Sequence, residues 1–155
     1  MFDYFKLRMP IFGPVFKEAN LASLFRSLEQ LFSGGVSLIN SVESTKHAVK
    51  NDLYQEALAA TVPTLMHGIP ISEAFKPFSY LFPLQVIRTI EVGERSGTLE
   101  KSFHHLRVFY DRSVSQRTQT ITSLIEPVLM LIVGVTVGIL AVSVFLPIYN
   151  VSQII

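Results

Sequence analysis

Glu91 and Glu94 stand three positions apart in "TIEVGERSGTLEKSFHHL", the stretch from Thr89 to Leu106. On a helix that spacing turns both carboxylates toward one side, where they could hold a divalent cation or meet a basic partner. The stretch ends in adjacent histidines, His104 and His105, while His47 and His67 lie elsewhere. A histidine joined to Glu91 and Glu94 would make a metalloenzyme site. Geometry weighs against it, because successive helical residues diverge by about 100° and the histidine pair does not converge on one metal. Solvated histidines and a charged helix face in water are the simpler reading. Nucleophile elbows, phosphate loops, zinc-protease motifs and dinucleotide fingerprints are absent, so neither a catalytic residue nor a cofactor is expected.

The elements around these carboxylates explain the glycines between them. Val86, Ile90 and Gly93 share one helical face, and a glycine there lets a neighbouring backbone come close. Gly97 reads as the left-handed residue that ends the helix. Thr98 then caps a new helix, with Glu100 in its first turn, where negative charge complements the dipole. Lys101 at the third position departs from the strict capping box. The two glycines mark a corner between helices, with no chemistry at it.

Upstream, Pro10, Gly13 and Pro14 punctuate an extended lead-in over 1–18, and Asn20 is the expected cap of the first helix. Leu21, Leu24, Phe25, Leu28, Leu31 and Phe32 make its buried stripe, and Gly34 and Gly35 stop it. A second helix is expected from Ser37 to Val49, burying Leu38, Ile39, Val42 and Val49. Asn51 caps a third, with Leu53, Ala57, Leu58, Leu65 and Met66 as apolar contributors. Pro63 should kink or shorten that helix, and Gly68 ends it. Ser72 is the expected cap of a short turn before Pro77, and Pro83 suits the first turn of the helix that follows. The reading is an all-α, antiparallel bundle of about six helices over 19–122.

From Thr98 the apolar seam runs through Leu99, Phe103, Leu106, Tyr110, Val114, Ile121 and Ile125, and nothing compels a break. The last helix therefore continues into "PVLMLIVGVTVGILAVSVFLPIY", Pro127 to Tyr149, with Pro127 as the place for a bend. That segment would extend about 34 Å as a helix, against a bilayer core of about 30 Å. A transmembrane helix over 123–149 and a short tail over 150–155 are expected. Within it Gly134, Gly138 and Ala141 form a small face suited to helix packing, and Glu126 sits at the membrane edge. All 13 Lys and Arg residues precede the span, which places the bundle in the cytosol and the tail across the membrane. They balance 12 Asp and Glu, which argues against a nucleic-acid partner. Cysteine is absent, which removes disulfide and thiolate chemistry, and the first residues show no cleavable signal.

"FPLQVIRTIEVGERSGTLEKSFHHLRVFY", Phe82 to Tyr110, resembles the signature of the type II secretion system F domain family. Its marks are a Phe-Pro start, a Gly-Glu-x-x-Gly-x-Leu turn and an amphipathic helix ending in an aromatic pair. "IEPVLMLIVGVTVGILAVSVFLPIY" is similar to the family's final membrane helix, with Glu126 and Pro127 at its start and Pro147 near its end. "LRMPIFGPVFKEANLASLFRSLEQLFSGGVSL" is similar to the domain's start. The resemblance spans nearly the whole chain.

The resemblance implies a non-enzymatic platform protein of a bacterial inner membrane. Its implied partners are a hexameric assembly ATPase, pilin or pseudopilin, other inner-membrane assembly proteins, membrane lipid and further copies of itself. Glu91, Gly93, Glu94, Gly97 and Leu99 match the signature turn, where they would shape the corner and offer carboxylates to a partner. The "LPIYNVSQII" ending resembles the pilus branch more than the secretion branch. Family members carry two such domains and three spans, so one of each suggests a C-terminal half or a split version. Pro63 also interrupts a helix that the family usually leaves unbroken. A membrane-tethered metalloenzyme and a structural oligomeriser acting through Gly134 and Gly138 are the readings from other classes.

Overall fold

Glycine stops and side-chain caps divide the chain into its helices. The computed structural model describes residues 13–152. Helix α1 runs Gly13–Ser33, α2 Leu38–Ala48, α3 Asp52–Met66, α4 Ile71–Phe75, α5 Leu84–Ser96 and α6 Leu99–Ser152, with a 3-10 turn over Lys76–Phe78. No strand occurs among the described residues, and the all-α expectation holds. A division between two compact units falls between Ser115 and Gln116.

Gly35, Gly68 and Gly97 close α1, α3 and α5 with φ of 82°, 77° and 68°, backbone that a side chain would strain. Each stop is a Schellman motif. In the last, the Thr98 N–H donates to the Gly93 carbonyl at 2.8 Å and the Gly97 N–H to that of Glu94 at 3.3 Å. Asn51 caps α3 as expected, its side chain accepting from the Leu53 N–H at 3.1 Å. Ser37 caps α2 on the Asn40 N–H.

Several expectations need correction. Helix α1 begins at Gly13, so residues 13–18 belong to a helix and not to a lead-in, which up to residue 12 lies outside the described residues. Asn20 lies inside α1, where its side-chain amide donates to the Phe16 carbonyl at 2.7 Å and caps nothing. Proline is tolerated in a first turn, so Pro14 opens the helix instead of delaying it. Helix α3 runs through Pro63 to Met66, because proline there disturbs only the last turn. Met66 is 70% exposed and contributes little to the core. Pro83 sits at the cap position of α5, one residue before its first turn.

The core collects Leu21, Leu24, Phe25 and Leu28 of α1, Val42 of α2, Tyr54 and Leu58 of α3, Val86 and Ile90 of α5, and Phe103 and Leu106 of α6, all buried. Phe75 and Phe82 stack at 4.0 Å between ring centres, and Tyr54 meets Phe82 edge-on at 5.8 Å. Phe82, which opens the Phe-Pro pair, is thus a core anchor under α4 and α5. The Tyr54 hydroxyl donates to the Leu81 carbonyl at 3.2 Å, and burial raises its pKa.

Candidate functional site

The corner between α5 and α6 depends on one missing side chain. A Cβ built on Gly93 would lie 2.2 Å from the Ser102 Oγ, 2.9 Å from the Ser102 Cβ and 3.3 Å from the Leu99 Cα. Glycine here therefore serves close approach of two helices, as its place on the apolar face predicts. The buried Ser102 uses that closeness, donating its hydroxyl to the Thr89 carbonyl of α5 at 3.1 Å. Leu99 packs half-buried against the core. The Thr98 carbonyl accepts from the Ser102 N–H at 3.1 Å, while its hydroxyl pairs with that of Ser96.

The carboxylates that share a helix side by spacing are committed to different partners. Glu94 reaches the start of α4, where its Oε1 accepts from the Ile71 N–H at 2.6 Å and its Oε2 from the Ser72 N–H at 3.2 Å and the Ser72 hydroxyl. Helix α4 has Pro70 at its cap position with no side-chain cap of its own. Its free N–H groups are therefore satisfied by a residue of another helix. Ser72, expected as the cap, is instead one of the groups that Glu94 binds. Glu91 lies between Arg88 and Arg95 of its own helix, at 2.9 and 2.8 Å. The Arg88 hydrogen bond, helped by the Arg95, Arg88 and Lys76 charges and only partly opposed by desolvation, holds its pKa below the ordinary carboxylate value.

On the α1 side of α6 a second polar cluster closes on itself. His104 meets Glu29 at 2.7 Å, Arg107 also reaches Glu29, and Asp111 binds Arg26 at 2.7 Å. His104 and His105 are both exposed. No group of three or more His, Asp or Glu positioned for a metal occurs among the described residues. The oxygens of Glu94 face N–H and hydroxyl donors of α4, and those of Glu91 face two arginines of its own helix.

Beyond this corner, α6 is long and apolar enough to cross a membrane. Leu129, Met130, Ile132 and Val133 are all more than half exposed, and Gly134 and Gly138 have nothing within 4 Å of a built Cβ. Glu126 is exposed, and Pro127 lies within the helix. The side chains of Ile121, Ala141 and Pro147 lie outside the described residues.

The sequence profile described as "Type II secretion system (T2SS), protein F" matches residues 24–147. The chain belongs to that family. Among F-family relatives, a type 4 fimbrial assembly protein PilC of Pseudomonas putida is 32% identical over 96% of this chain and 37% of its own length. A type IV pilus assembly protein PilC of Thermus thermophilus is 29% identical with the same coverage. A type II secretion system protein F of Pseudomonas aeruginosa is 20% identical over 97% of the chain and 37% of its own length. The chain thus spans a little over a third of the relatives it matches. In this chain the Gly-Glu-x-x-Gly-x-Leu turn is a packed corner. Gly93 admits Ser102, Glu94 caps α4, Gly97 ends α5 and Leu99 begins α6 against the core. Reading along the chain misses Ser102 and Ile71 and gives Ser72 the wrong role, because all three depend on contacts across the fold. The Arg88–Glu91–Arg95 series, at i−3 and i+4, is visible as a spacing.

Proposed function

We propose that this chain is part of an inner-membrane scaffold for type IV pilus assembly, linking a hexameric cytosolic ATPase to pilin that is inserted into or extracted from the fibre. The observation that carries the reading is the family match over residues 24–147, combined with higher identity to pilus assembly relatives than to the secretion relative. In this reading the helical bundle over 19–122 works in the cytosol as a non-enzymatic platform. The segment over 123–149 spans the membrane, and the tail over 150–155 emerges outside. The small face of Gly134, Gly138 and Ala141 supports contact with another membrane helix, from a second copy or a companion protein. Glu126, Pro127 and Pro147 bound that span.

Affinity purification of the N-terminally tagged chain from detergent-solubilised native membranes, followed by mass spectrometry, tests the proposal. A hexameric assembly ATPase recovered with a pilin is the expected result. Pseudopilin in place of pilin would transfer the chain to a type II secretion system, a reading favoured by the 20% identical relative. Recovery with an unrelated enzyme, or with nothing, would overturn both.

A further inference from the structure

We propose that the trough between α5 and α6 docks an acidic segment of a partner protein, with Lys101 and Arg88 receiving its carboxylates and Val92 receiving an apolar side chain. The inference deepens the scaffold reading and rests on it only for the partner's being a protein. The trough measures about 400 Å³ and is lined by Arg88, Thr89, Val92, Lys101, Ser102 and His105. No acidic side chain lines it. Close approach at Gly93 draws the two helices together, so that cations of α5 and α6 border one hollow.

Charge distribution over the corner sets this face apart. Glu29, Asp111, Arg26 and Arg107 neutralise one another on the α1 side. Glu91, next to the lining residue Val92 in sequence, is shared by Arg88 and Arg95. Lys101 and Arg112 have no carboxylate partner among the described residues, and with His105 they fall at i, i+4 and i+11 along one side of α6. Val92, 65% exposed, is the single large apolar residue in the lining. A surface that lies on lipid needs a broad apolar stripe, whereas one hydrophobic contact flanked by Arg88 and Lys101 suits an acidic peptide.

The test uses the full chain in nanodiscs of zwitterionic lipid and a labelled helical peptide carrying Glu at i and i+4 beside Leu, compared with its Gln counterpart. The expected result is binding of the Glu peptide that high salt weakens, with the Gln peptide and the Lys101→Glu chain each weaker by about tenfold. Lys101→Gln combined with Arg88→Gln removes the attraction without adding repulsion, and serves should Lys101→Glu disturb folding. Equal binding of both peptides, or undiminished binding by the folded variants, would overturn the proposal. So would binding that appears only when phosphatidylglycerol is placed in the nanodisc, which would make the trough a lipid site. Because the probe is synthetic, its result is independent of whether an ATPase or pilin co-purifies.

Discussion

Replacing Glu94 with Ala should loosen the bundle at a point far from the substituted residue in sequence. The change removes three hydrogen bonds to a carboxylate, two of them from the N–H groups that open α4. Loss of an N-terminal cap costs about 0.5–2 kcal/mol, and bonds to charged groups are each worth about 1.5–3 kcal/mol. Glu94 is half-buried, so water can partly replace it, and we expect a net loss of about 2–3 kcal/mol. Against a domain stability of about 5–15 kcal/mol this lowers the melting temperature by about 10 °C. Glu94→Gln keeps one acceptor oxygen and should fall between Ala and the native residue. The assay is urea unfolding of the full chain in micelles, with amide hydrogen exchange at Ile71 and Ser72. A Glu94→Ala chain within about 0.5 kcal/mol of native, with exchange unchanged at both amides, would refute the capping role.

Three further outcomes follow from the same geometry. Gly93→Ala should destabilise by about 1–3 kcal/mol through overpacking against Ser102, and Ser102→Gly should cost less in that background than alone; urea unfolding of the single and double variants decides. Glu91 should titrate below the ordinary glutamate range by NMR and move upward in Arg88→Ala. Because its folded pKa is the lower one, its contribution is present above the unfolded value and fades as pH falls through the folded one. Tyr54→Phe should cost about 1–2 kcal/mol in unfolding experiments, since the Leu81 carbonyl loses its buried donor.

Much of the architecture was legible because its signals are local. Left-handed glycine stops and the Asn51 cap act within a few residues, so spacing alone locates them. Gly93 was readable as a point of close approach, but its neighbour Ser102 depends on how α6 returns past α5. Asn20 misled because an Asn before a leucine stripe looks like a cap, while its amide bonds equally well to a carbonyl four residues back. Ser72 misled for the opposite reason. The carboxylate that satisfies its N–H lies 22 residues ahead, beyond any local pattern. Identical types at i and i+3 gave Glu91 and Glu94 the look of a pair, yet flexible side chains choose partners by what surrounds them.

The capping of α4 by Glu94 also orders events in time. A five-residue helix without its own cap does not persist alone, since nucleation costs more than so few bonds return. As the chain is synthesised, Ile71–Phe75 emerges well before Glu94, so its first N–H groups lack this cap until α5 has been made. The Glu94 bonds tie α4 to α5 in the folded bundle, so the amides of Ile71 and Ser72 should open together with those of α5 in hydrogen exchange. A nascent chain halted before residue 94 would hold every core residue of α4 yet leave the N–H groups that open it without their cap.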